Sequence, residues 1–223
     1  MKLTPLHRRL LADVLDIGAI YPLVITGGYA VQAHGLIQRL SQDLDVATEN
    51  PAPMEEILND LSSQLASRGW QVDQIDVDPL SGRLIVTDAT SRERCEVDVL
   101  KEAFWAPPAH TEHGLVLAFD DVIGTKVRAL ADRGAVRDLI DVHAASRHRT
   151  TADLESLGRR HARDDFSLEG LRDRLSGAEW FEEEDYAAYG LGEEDIHLLR
   201  AWALSWIGDL DSRLQAERGT GDE

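Results

Sequence analysis

Cationic side chains are scarce in this chain: 23 Lys and Arg stand against 41 Asp and Glu, a formal charge of −18. Binding nucleic-acid phosphates needs local Lys and Arg to release counterions, so a surface this anionic weighs against any extended duplex-binding face. Cysteine is limited to Cys95, which excludes an intramolecular disulfide and a Cys-rich zinc site. Cys95 lies in a strand-like run and reads as a small core residue. Long hydrophobic runs are missing as well; no stretch approaches the roughly 20 apolar residues that a membrane span needs. The opening residues, Met1 to Arg9, lack the apolar segment and small-residue cleavage site of a secretory signal. The expectation is a cytoplasmic protein with no membrane contact. With 43% hydrophobic content over 223 residues, the chain can still bury the core of one or two small domains.

Residues 25 to 45 carry the most information. They place the pair Gly27-Gly28 and a short amphipathic run ahead of Asp43-Leu44-Asp45. On an extended strand, side chains two apart share a face, so Asp43 and Asp45 point together while Leu44 enters the core. Two carboxylates on one face suit Mg²⁺, a hard ion typically held by one or two carboxylates plus the oxygens of a bound triphosphate. Residues without Cβ, such as Gly27 and Gly28, let backbone N–H groups come close to phosphate oxygens. An Asp-x-Asp alone is common on solvated strands, and a Gly-Gly alone is usually a turn; it is their order and proximity that single out nucleotidyl transfer.

Periodicity assigns the surrounding elements. Leu3 to Asp16 reads as a helix, Leu23 to Thr26 as a short strand and Tyr29 to Leu36 as a helix opening after the glycines. Asp43 to Ala47 is the next strand, and Met54 to Arg68 a helix with Ile57, Leu58, Leu61 and Leu65 on one side. Strands follow at Trp70 to Val77, Arg83 to Asp88 and Glu93 to Leu100; in the last, Glu96 and Asp98 alternate with Val97 and Val99 and form a carboxylate face. Helices are expected from Phe119 to Arg133 and from Ala135 to Ser146. From Asp153 onward the chain reads helical, with Trp202, Leu204, Trp206 and Leu210 as the last buried stripe.

The pattern Gly27-Gly-Tyr-Ala-Val, followed by Arg39-x-Ser41-x-Asp43-Leu44-Asp45, resembles the AbiEii/AbiGii-type nucleotidyltransferase toxins of the DNA polymerase β-like superfamily. The segment from Lys126 through Arg133 to Arg137-Asp138-x-x-Asp141 is similar to the Lys … Arg-Asp-x-x-Asp signature of that family. The resemblance covers Pro5 to Ser146. It implies an α/β (α+β) fold: a nucleotidyltransferase domain with a mixed sheet flanked by helices at 1–118, then a helical domain at 119–223 that closes over the nucleotide. It implies Asp43, Asp45, Asp98, Lys126 and Asp138 as catalytic residues, with Gly27, Gly28, Arg39, Ser41 and Lys126 binding the nucleotide. Mg²⁺, with Mn²⁺ as a substitute, would be held by Asp43, Asp45 and a third carboxylate on a neighbouring strand. Asp98 is the better choice for that third group, but Glu96 shares its face.

The activity implied is transfer of a nucleoside monophosphate from an NTP to an acceptor such as a tRNA 3′ end, releasing pyrophosphate, with a cognate antitoxin as partner. Two other readings stand beside it. A small-molecule nucleotidyltransferase acting on aminoglycoside-like antibiotics fits the acidic surface, since clustered carboxylates such as Glu182 to Asp185 attract cationic drugs. A catalytically dead nucleotide-binding module ranks last, because every expected carboxylate is present.

Overall fold

The computed structural model describes residues 1–38, 41–164 and 166–220, and the chain divides into two compact units, Met1–Val122 and Ile123–Glu223. The first opens with helix α1 (Pro5–Ile17), whose start is set by Thr4: its hydroxyl accepts the His7 N–H while Pro5 occupies the first turn, where no N–H is needed. Leu6, Leu10, Leu11, Val14 and Ile17 recur three or four apart, so one stripe of α1 enters the core.

The same unit holds a mixed seven-stranded sheet: β1 (Val24–Ile25), β2 (Asp43–Thr48), β3 (Trp70–Asp78), β4 (Ser81–Asp88), β5 (Arg94–Lys101), β6 (Ala109–Thr111) and β7 (Gly114–Val116). Their spatial order is β3-β4-β5-β2-β1-β7-β6. Strand β2 therefore lies inside the sheet, antiparallel to β1 through Ile25↔Val46 and parallel to β5 through Asp43↔Glu96 and Asp45↔Asp98. Leu44, Val46, Val97 and Val99 are buried, while the residues alternating with them at 43, 45, 96 and 98 remain partly open. Helix α3 (Met54–Ser67) buries Ile57, Leu58, Leu61 and Leu65 as its spacing predicts.

Two sequence expectations are corrected here. The helix after the glycines, α2, runs Gly27–Ala33 rather than Tyr29 to Leu36. Thr26 is still extended and Gly27 takes φ +59°, which starts the helix early, and Gly35 at φ +73° closes the turn that ends it. The hairpin of β6 and β7 was not expected at all. Its strands are three residues each, too short for an alternating pattern to register, yet β7 extends the sheet by pairing with β1 at Ile25↔Val116.

The second unit is helical. Helix α4 (Phe119–Arg133) runs into it from the first, and α5 (Val136–Ala145), α6 (Thr151–His161), α7 (Leu168–Ser176), α8 (Glu183–Ala187) and α9 (Glu193–Thr220) follow. Thr150 and Asp153 form a reciprocal capping box at the start of α6, and Ser167 caps α7. Leu154, Leu171, Leu175, Tyr186, Leu199, Ala203, Trp206 and Leu210 are fully buried. The buried stripe of α9 is thus 199, 203, 206 and 210. Leu204, expected inside, is 53% exposed because it lies one residue off that stripe and is turned away by about 100°. Trp206 donates its indole N–H to Glu155 at 3.0 Å, and Arg213 forks onto the same carboxylate, so this buried acid is fully engaged. Among the described residues no helix is long and apolar enough to cross a membrane.

Candidate active site

The register of β2 and β5 gathers four acidic residues of the first unit onto one face. Asp43 lies beside Glu96 and Asp45 beside Asp98 on adjacent parallel strands. Strand β1 brings the glycines to the same place: Thr26 N–H donates to the Asp45 carbonyl at 2.9 Å, and Gly27 follows directly. A Cβ built on Gly27 would stand 1.8 Å from Asp45 Oδ2 and 2.3 Å from Asp45 Cγ. The carboxylate of Asp45 therefore fills the space that any other residue at 27 would occupy, and the φ of +59° there independently favours glycine. Gly27→Ala is expected to lower stability by about 1–2 kcal/mol from the left-handed backbone alone, and to push Asp45 off its position; a denaturant titration with a crystal structure of the variant checks both.

Asp43 is oriented from its own strand entrance. The Ser41 hydroxyl donates to Asp43 Oδ1 at 2.8 Å, and Ser41 is itself buried. Asp98 has a different neighbour, Arg83 of β4, which stands opposite it in the antiparallel register. Arg83 Nε and a terminal nitrogen bind the two Asp98 oxygens at 2.8 and 2.7 Å, and the same terminal nitrogen lies 3.2 Å from Glu96. Sequence reasoning missed Arg83 altogether. The chain order shows only that Arg83 opens a strand, and the cross-strand register that pairs it with 98 is set by the β4–β5 hairpin. Cys95 flanks this group; burial, with Asp43, Asp45 and Glu96 adding to it, pushes its thiol up to about 12, so it stays a neutral core residue.

Asp43 and Asp45 are hard oxygen donors on one strand face, the chemistry by which a magnesium ion completed by triphosphate oxygens could be held. Asp98 fits such an ion only with Arg83 released, because both its oxygens are taken in the bidentate pair. Among the described residues, no group of three or more His, Cys, Asp or Glu side chains is arranged to hold a metal. Gly28 is buried in α2. Arg39 lies outside the described residues.

In the second unit the downstream signature folds into a helical hairpin. Gly134, at φ +62°, turns the chain between α4 and α5. Lys126 and Arg133 are two turns apart on α4, Asp138 and Asp141 one turn apart on α5, so each pair shares a face. They meet as two ion pairs. Lys126 Nζ lies 2.8 Å from Asp141, whose side chain is wholly buried, and Arg133 forks onto the wholly buried Asp138 at 2.7 and 2.9 Å. Arg128 donates to the His161 carbonyl at 3.0 Å, tying α4 to the end of α6.

The family model described as nucleotidyl transferase AbiEii toxin, type IV TA system, matches residues 9–207. Similar solved structures include JHP933 from Helicobacter pylori, at 18% identity and TM-score 0.57, covering 99% of this chain and 100% of that one. MenT4, a nucleotidyltransferase toxin from Mycobacterium tuberculosis H37Rv, is also similar, at 18% identity and TM-score 0.56, covering 94% of this chain and 85% of that one. At such identities these likenesses show the fold. No curated protein matches the sequence.

Proposed function

The chain belongs to the AbiEii nucleotidyl transferase toxin family of type IV toxin–antitoxin systems and is a nucleotidyltransferase; from that premise we propose that it moves a nucleoside monophosphate from an NTP to an RNA acceptor, a tRNA 3′ end, in a Mg²⁺-dependent reaction that releases pyrophosphate. The observation that carries this reading is the placement of the Asp45 carboxylate in the space a Gly27 Cβ would fill, with Asp43 on the same strand face.

Asp43 and Asp45 would hold the ion, which when bound neutralises charge on the triphosphate. The chain's own residues do the positioning. Ser41 fixes the Oδ1 oxygen of Asp43 and so sets the orientation of the carboxylate. Glycine at 27 leaves the space beside the sheet to the Asp45 carboxylate, so that this acid and the glycine backbone share one place. Arg83 holds Asp98 and Glu96, and we assign it a charge-balancing role in the free enzyme. Lys126 is assigned to the triphosphate as a point charge and Asp138 to the active site, both on the strength of the family signature. A cognate antitoxin and a cytoplasmic RNA pool complete the proposed setting.

Incubating the protein with each labelled NTP, Mg²⁺ and total RNA tests the proposal. Label is expected in the tRNA fraction with one or two of the four nucleotides, and none with Asp43→Ala. Label in neither RNA nor protein, for both forms alike, would sink it, and drug resistance instead of growth arrest on expression would redirect the acceptor to a cationic small molecule.

A further inference from the structure

One group of buried polar side chains next to the acidic face is left unused by the mechanism above. Tyr29 of α2 is 1% exposed and His7 of α1 is 6% exposed. His7 Nδ1 lies 2.5 Å from the Tyr29 hydroxyl, and the two rings meet edge to face at 5.7 Å. The Tyr29 hydroxyl reaches the Ser41 carbonyl at 3.4 Å, and the Ser41 side chain donates to Asp43 Oδ1 at 2.8 Å.

Only one proton arrangement satisfies every link. A carbonyl can only accept, so the Tyr29 O–H donates to Ser41 and its oxygen is left to accept from His7. His7 therefore carries its hydrogen on Nδ1. Each bond then points the same way, from His7 through Tyr29 and Ser41 to the Asp43 carboxylate. Burial holds His7 below its ordinary value and drives Tyr29 up to about 12, which keeps both neutral as this arrangement requires.

We propose that His7 and Tyr29 are positioning residues, which through Ser41 fix the Asp43 carboxylate for cation binding. The inference rests on the reading of Asp43 as a metal-binding residue. Neither side chain touches the reacting groups. Tyr29 anchors the backbone of Ser41 so that its hydroxyl is delivered to Asp43, and His7 keeps the phenol turned toward that carbonyl. Hydrogen-bonded partners of ligating carboxylates typically contribute 10- to 100-fold to metal affinity.

The test is Mn²⁺ binding to the purified protein, followed by electron paramagnetic resonance and calorimetry, beside thermal melting of each variant. Tyr29→Phe and His7→Leu are expected to weaken Mn²⁺ binding by about tenfold or more while the fold persists. His7→Asn places an amide N–H close to where Nδ1–H stands and is expected to restore most of the affinity, which a purely space-filling role at residue 7 does not predict. Wild-type affinity in Tyr29→Phe overturns the inference while leaving the metal reading intact, provided Asp43→Ala has lost the ion. If wild type and Asp43→Ala bind Mn²⁺ alike, the metal reading falls and this inference falls with it.

Discussion

Asp45→Ala is expected to reduce nucleotidyl transfer about 1,000-fold while leaving the protein at least as stable as the wild type. A metal-binding carboxylate at a phosphoryl site contributes several kcal/mol of charge stabilisation; about 4 kcal/mol, at 1.36 per decade, gives that factor. The stability half of the result follows from the register. Asp43, Asp45, Glu96 and Asp98 are neighbours on two adjacent strands of one sheet face, and like charges side by side disfavour folding. Arg83 relieves this at Asp98 and Glu96. Taking away one carboxylate from the set therefore lowers repulsion in the folded protein, and the melting temperature should hold or rise. Steady-state kinetics with labelled NTP and a thermal melt of the same preparation read both halves. Activity within tenfold of wild type would falsify the assignment of Asp45; a large loss of stability would mean that its role is packing against Gly27.

Lys126→Met is expected to destabilise the protein by about 3–5 kcal/mol, because it takes the ammonium away from a wholly buried carboxylate, Asp141. Lys126 is itself 9% exposed, so little water is at hand to make up the difference. The double variant Lys126→Met/Asp141→Leu should recover most of that stability, since an apolar pair of similar volume avoids the desolvation cost of both ions. Urea denaturation of the three proteins measures this, and a loss below about 1 kcal/mol in the single variant would place the pair among ordinary solvated ion pairs. The double variant also separates structure from chemistry. If the ammonium serves the triphosphate, the refolded double variant stays inactive; if Lys126 only holds α4 to α5, activity returns with the fold.

Much of this protein was legible from residue order. The apolar spacing of α1 and α3, the alternation of Leu44, Val46, Val97 and Val99 with acids, and the glycine pair ahead of Asp43 are local patterns. Each follows from the 3.6- and 2-residue periods of helix and strand acting on side-chain polarity. The same periods failed where an element was short, as at β6 and β7, or where one residue of offset decides the face, as with Leu204. The family signature was equally readable, since it consists of residue types at short intervals.

What the chain order could not decide was pairing across distance. Asp45 and Gly27 are 18 positions apart, yet their fit depends on β1 lying antiparallel to β2 in one register. The claim of Arg83 on Asp98 depends on the β4–β5 hairpin, and the line from His7 to Asp43 on single side chains of α1 and α2 meeting beside the entrance to β2. Composition and periodicity say which faces are polar, because those depend only on neighbours along the chain. Which polar group meets which is settled by tertiary packing, since a hydrogen bond or ion pair forms only when two separately built surfaces arrive within about 3 Å of each other.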